Sequence, residues 1–198
     1  MAPTVQTPYL VVDSPYEIAN ARPLLQWVLY IPHGIINWAL DELANIVFFV
    51  YWLALIFTGK LQPGLYNLMA MSERYGARTG GFLLGYSEEY PPFEFKVGPT
   101  DSDAYRPVTL SLPEVPTDVS RWVALNVIKA IPHYIVVAIF AIGALFLAIY
   151  GWFAVLFTGR WPAGARDWLV RFSNYYFRIW TYVAMVDNNY PKFGLPAA

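Results

Sequence analysis

Ile31-Pro32-His33, a long apolar run, Phe57-Thr58-Gly59-Lys60, then Arg78 and Tyr90-Pro91-Pro92-Phe93 make up a stretch that the chain contains twice. Ile131-Pro132-His133, Phe157-Thr158-Gly159-Arg160, Arg178 and Tyr190-Pro191-Lys192-Phe193 repeat it at an offset of 100 residues, with no insertion. Trp52/Trp152, Ala54/Ala154, Gly64/Gly164 and Tyr75/Tyr175 keep the same register. Agreement over about sixty residues marks an internal duplication, and a duplication has to be found before any fold is assigned.

Each copy reads as a helix, a tight turn and a second helix. Residues 131–158 contain no Asp, Glu, Lys or Arg. That length exceeds the roughly 20 apolar residues that a membrane crossing needs. Residues 31–58 hold the same position but carry Asn37, Asp41, Glu42 and Asn45. An acid at the centre of a membrane helix costs roughly 2.5–3.5 kcal/mol, so it is the repeat that identifies this segment as a membrane helix. Pro32 and Pro132 suit a helix start or a kink. Gly59 and Gly159 stand where a C-capping glycine belongs. Lys60 and Arg160 follow, each a cation at a helix C-terminus and at headgroup level. After the turn, 64–86 and 164–186 are mixed helices. Two placements remain open for them: return across the membrane with their arginines turned into protein, or residence in the interface.

Outside the two units the chain divides into three pieces. Residues 1–20 form an extended arm with Pro3, Pro8 and Pro15, in which Tyr9-Leu10-Val11-Val12 has the character of a strand. Residues 21–30 and 120–130 are short, amphipathic and rich in Trp, Arg and Lys. They suit a helix lying among headgroups, or the first turns of the helix that follows. Residues 94–119 are an extramembrane linker. Phe93–Val97 and Val108–Leu112 alternate apolar with polar, the period of a half-buried strand, and the turn Gly98-Pro99 between them gives a small β-hairpin. Thr117, Asp118 or Ser120 can cap the helix beyond.

The combination of Ile-Pro-His, Phe-Thr-Gly-Lys/Arg, an aromatic helix with one arginine and Tyr-Pro-x-Phe resembles the bacterial membrane family DUF4389, whose function is unassigned. The resemblance implies a bacterial inner-membrane, multi-pass protein and implies no activity. It also makes Pro32, His33, Thr58, Gly59, Arg78 and their counterparts Pro132, His133, Thr158, Gly159, Arg178 the structural motif of each unit.

Composition agrees with a membrane setting. The 198 residues are 57% hydrophobic and 14% charged, against roughly 25% charge in soluble domains. Aromatics reach 18%, with 8 Trp and 15 Tyr, rings that favour the membrane–water boundary. A net charge of −1 gives no electrostatic case for nucleic acid. There is no cysteine, which excludes disulfides and thiolate chemistry. The first twenty residues lack the basic-then-apolar pattern of a cleavable leader.

Candidate site residues are few. His33 and His133 are the only histidines. A pair of imidazoles could ligate haem iron, but haem-binding spacing is lacking, and a structural bond from each ring to its own unit is the stronger reading. Arg74, Arg78, Arg171 and Arg178 could hold lipid headgroups or pair with acids. Lys60, Arg160, Arg166 and Arg171 are the headgroup candidates. Asp41 and Glu42 have no acidic counterpart in the second copy, where Ala141 and Ile142 stand. Asp41 lies about 18 residues before the turn and Arg78 about 14 after it. At about 1.5 Å per residue the two depths differ by about 6 Å, so an Asp41 or Glu42 pairing with Arg78 is expected. Nothing resembles a nucleophile–base pair, a phosphate loop or a metal signature.

These readings predict an all-α membrane protein of two tandem helical hairpins, spanning 21–93 and 120–198. Both turns should lie on one side, and Lys60, Arg160 and Arg166 put that side in the cytoplasm. The expected function is non-catalytic: an accessory or structural subunit of a membrane complex, with bound lipids and other subunits as partners and no cofactor. The alternatives are a small transport component and a lipid- or haem-binding membrane protein.

Overall fold

The structure is a computed structural model that describes residues 9–102 and 104–196. The first eight residues of the arm, with Pro3 and Pro8, and Asp103 of the linker lie outside the described residues. The elements in chain order are β1 (Leu10–Val12), α1 (Arg22–Thr58), α2 (Pro63–Leu83), β2 (Val108–Leu110), a 3-10 turn (Arg121–Leu125), α3 (Asn126–Lys129), α4 (Ile131–Thr158) and α5 (Ala163–Val183).

The two copies build their long helices alike at the C-terminal end and differently at the start. Gly59 and Gly159 take left-handed backbone, with φ of 73° and 67°. Each donates its N–H to the carbonyl four residues back, Leu55 or Val155, at 2.8 Å. A side chain at that φ would be strained, which is why glycine follows the Phe-Thr pair. Pro23 opens α1 at its first turn, where a missing N–H costs nothing. The helix then runs through Pro32 without a break. In the second copy Ser120 accepts from the Trp122 N–H at 3.3 Å and starts a 3-10 turn. Pro132 thereby falls in the first turn of α4. The stretch 21–30 is thus the first turns of α1, whereas 120–130 is a separate short segment.

α1 and α4 are long and apolar enough to cross a membrane. They run antiparallel. Trp52, near the end of α1, donates its indole N–H to Ala124 O at 3.0 Å, just before α4 begins. Trp152, near the end of α4, donates to Pro23 O at 2.7 Å, at the start of α1. The turn after α1 sits beside Arg121, whose Nη2 donates to Phe57 O at 3.5 Å. The turn after α4 sits beside the arm, where Ile18 N–H donates to Gly159 O at 2.8 Å. The two turns therefore occupy opposite ends of the α1/α4 pair, which rules out two upright hairpins standing side by side with both turns at one end.

α2 returns along α1, and α5 along α4. His33 meets Tyr75 and Asn37 meets Thr79, which places α2 against the first half of α1. The mixed helices also face each other across the molecule, with Tyr66 and Trp180 ring centroids 5.8 Å apart. The strands cover this second layer. Asn174 of α5 brackets the backbone of Leu10, accepting from its N–H and donating to its carbonyl, both at 2.9 Å. Gly81 of α2 lies so close to Val108 that an added Cβ would stand 2.6 Å from Cγ2.

The small sheet corrects the expected linker hairpin. β2 pairs antiparallel with β1 of the arm, in the register Leu10↔Leu110, Val11↔Thr109, Val12↔Val108. Residues 93–97 form no strand. Alternation gives a strand its faces but not its partner, and a two-stranded hairpin alone is marginal in water. Pairing with the arm lets β2 rest on α2 while β1 rests on α5. Leu10 pairs with Leu110, 100 residues on and so at the offset that relates the two units; an approximate two-fold axis therefore passes through the ladder, between α2 and α5, and between α1 and α4.

Candidate functional site

Four features bring polar or chemically distinct groups together: a pair of histidine clamps, the arginines of the second helices, a cavity between α2 and α5, and the outer face of α1 and α4.

His33 and His133 are fully buried. Each imidazole Nδ1 lies within hydrogen-bond distance of a tyrosine hydroxyl, Tyr75 at 2.7 Å and Tyr175 at 2.8 Å. Each ring stacks on the phenylalanine of Tyr-Pro-x-Phe, with centroids 4.5 Å apart for Phe93 and 4.1 Å for Phe193. Tyr90 and Tyr190 pack on the same rings and donate to Leu29 O and Lys129 O. The motif residues thus fold onto one another: histidine from the long helix, tyrosine from the second, and the Tyr-Pro-x-Phe tail closing over both. Among the described residues the Nε2 atoms have no hydrogen-bond partner, and aromatic rings pack around both imidazoles. Among the described residues no group of three or more His, Asp or Glu could hold a metal.

The arginines hold loops. Arg78 pairs with Glu94 at 3.4 Å and donates to its backbone carbonyl at 3.1 Å. Ser102 shares that carboxylate. The expected pairing of Arg78 with Asp41 or Glu42 does not form. Tyr75 and Thr79 face α1, while Arg74 and Arg78 point about a third of a turn away, toward the linker. Depth along the helix was the right consideration, but azimuth decided the partner. Arg74 donates to Gly98 O and Pro99 O, both at 2.7 Å. Arg166 is buried rather than at headgroups. It donates to Ser14 O, Ser14 Oγ and Pro15 O at 2.7–2.8 Å and lies over the Tyr16 ring. Arg171 donates to Pro196 O at 2.7 Å and Arg178 to Lys192 O at 3.4 Å. Of the headgroup candidates, Lys60 and Arg160 are exposed, with Arg160 paired to Glu17 at 3.6 Å.

Between α2 and α5 lies a cavity of about 270 Å³, reaching from α1 to the strands. Leu10, Val108 and Phe177 give it apolar walls, Gly76 and Gly80 leave room, and Asp41, Ser72, Glu73 and Tyr176 bring polar groups. Ser72 Oγ donates to Asp41 at 3.4 Å. Burial pushes the Glu73 carboxyl up to about 8, and the nearby Asp41 adds to this. In the sequence Glu73 stands out only as an acid with Met69, Ala70 and Ala77 one turn away, at a position whose counterpart is Ser173; as a partner for the arginines it is no more marked than Asp41 or Glu42.

The outer face of α1 and α4 is apolar and open. Trp38, Ile46 and Phe57 on α1, and Ile139, Phe146 and Phe157 on α4, are all more than half exposed. Glu42 is also exposed, and Trp38 and Ile46, one turn before and after it, share its face.

A family described as a domain of unknown function, DUF4389, matches the chain twice, over residues 20–94 and 121–194. No curated protein and no solved structure matches the chain.

Proposed function

We propose that this chain, which belongs to the DUF4389 family and carries two copies of its domain, is a non-catalytic protein of the bacterial inner membrane. Its role in this reading is that of an accessory or structural subunit of a larger membrane complex. One observation carries the proposal: the apolar outer face of α1 and α4, exposed from Leu24 to Phe57 and from Ile131 to Phe157. Exposed apolar patches of this extent mark membrane or protein contacts. Glu42 supports the subunit part of the reading, because an acid within such a face calls for a cation from a neighbour.

Native mass spectrometry after mild solubilisation tests this. The expected result is a mass above that of the 22.5 kDa chain, with lipid and at least one different polypeptide attached. A lone monomer would defeat the subunit reading.

A second reading, a small transport component, is favoured by Asp41 and Glu73 meeting at the cavity between α2 and α5. Proton or cation flux into proteoliposomes that Glu73→Gln abolishes would put this reading first.

A further inference from the structure

We propose that α1 and α4 lie in a single leaflet of the bilayer, parallel to its surface, with α2, α5 and the β1–β2 ladder stacked above them in the headgroups and water. This rests on the membrane reading above and fixes its geometry. It also replaces the expectation of a chain that crosses the bilayer several times.

Three observations carry it. The first is length. The exposed apolar face of α1 runs from Leu24 to Phe57, about 50 Å at about 1.5 Å per residue. The hydrocarbon core is only about 30 Å thick. To keep that whole face within the core, a crossing α1 would tilt by about 50–55°, beyond the 0–40° that crossing helices show, whereas a helix lying in the plane has no such limit.

The second is the place of the ladder. The two-fold axis passes between α1 and α4 midway along their length, and it leaves the molecule through Leu10 and Leu110 on the other side of α2 and α5. Upright helices would hold the ladder at the level of the bilayer centre. Asn174 and Asp101 meet the outward backbone of Leu10 and Leu110, and the irregular linker beside the ladder carries Glu94, Lys96 and Asp101. Irregular loops with charged side chains do not persist facing hydrocarbon, where backbone groups and charges find no water. With the axis along the membrane normal, the same ladder is the part farthest from the lipid.

The third is charge. The two-fold axis gives both ends of the α1/α4 pair nearly equal cations: Lys60, Arg121 and Lys129 at one end, Arg160 and Arg22 at the other. Such a pair has little bias to turn one end toward the cytoplasm. Across the layers the asymmetry is large, with apolar residues on one side and the linker acids and loop-holding arginines on the other. Interfacial helices bury an apolar face in this way, flanked by cations and aromatic rings, and Trp27, Trp38 and Trp122 are exposed here.

The absence of cysteine makes the test direct. Single-cysteine variants Lys60→Cys, Arg160→Cys and Gly98→Cys place thiols at the two ends of the α1/α4 pair and in the linker. Each is treated with a membrane-impermeant maleimide in right-side-out and in inverted inner-membrane vesicles. The expected result is labelling at all three positions from one side and loss of labelling at all three from the other. Labelling of 60 and 160 from opposite sides overturns the one-leaflet arrangement and leaves the membrane reading standing. Release of the protein from the vesicles by alkaline carbonate overturns the membrane reading itself. Gly64→Cys and Gly164→Cys, where an added Cβ meets nothing within 4 Å, replace the first two variants if either fails to accumulate.

Discussion

The two repeats use different residues to make the same lock. In the first, Tyr51 on α1 reaches across and donates to Ala184 O at 3.0 Å, where α5 ends. In the second, the position equivalent to Tyr51 is Gly151, and the bulk has moved ten residues on. Trp161 fills the space over Gly151 and donates to Gly85 O at 2.8 Å, just past the end of α2. The first repeat has the small partner there, Leu61. Each repeat thus supplies one ring whose polar atom closes the end of the other repeat's second helix. A duplicated fold conserves the volume and the hydrogen bond at a contact, and the side chains that provide them can trade places.

That comparison is most exposed to failure at Gly151. A Cβ there would stand 1.8 Å from the Trp161 ring, in a core that cannot expand. Gly151→Ala should lower stability by about 1–3 kcal/mol, the range for overpacked cores. Combining it with Trp161→Leu, which copies the first repeat, should recover part of that loss. Thermal unfolding in detergent, followed by circular dichroism, reads both. Additive losses in the double variant would mean that the two positions do not share one space.

The histidine clamps are the part the repeats have kept alike, so they should respond alike. His33→Ala and His133→Ala each remove a buried stacked ring and leave a tyrosine hydroxyl unpaired, at about 1–3 kcal/mol for the hydroxyl alone. Limited proteolysis should show cleavage near Tyr90 in the first variant and near Tyr190 in the second. Cleavage at the same single site in both would contradict two independent clamps.

Glu73 is where the repeats differ in charge. Its carboxyl is pushed up to about 8 by burial, from an ordinary value near 4.5, so the folded chain holds this proton more tightly than the unfolded chain does. Below about pH 4.5 both states are protonated and there is no penalty. As pH rises from there toward 8 the unfolded state releases its proton first, and stability falls. Asp41 reinforces the shift and the Trp180 side chain opposes it. Glu73→Gln should flatten this part of the pH profile and raise stability at pH 8. A profile unchanged by the substitution would show that another group titrates there.

The smallest effect is expected at the second turn. Arg160 and Glu17 form an ion pair in which both side chains are about two-thirds exposed. Arg160→Gln should change stability by roughly 0–1 kcal/mol. The backbone bridge between Glu17 and Arg160 holds the arm there without the charges. Loss of the arm's protease resistance in this variant would give the ion pair a larger part than its exposure suggests.

The sequence alone determined the duplication, the four main helices and the glycine caps, because each depends on local chemistry: apolar runs, a left-handed backbone after Phe-Thr, and proline at a first turn. It also brought His33 and His133 forward as a pair. Tertiary structure decided how the units face each other and which groups meet. The antiparallel course of α1 and α4 follows from where Trp52 and Trp152 find acceptors, and no periodicity carries that. β2 found its partner in the arm rather than across the linker turn, because alternation fixes a strand's faces and leaves its neighbour free. Arg78 met Glu94 rather than Asp41, and Arg166 met the arm rather than lipid. Counting residues along a helix gives a side chain's depth, but its partner depends on which loops the finished fold brings around that side of the helix.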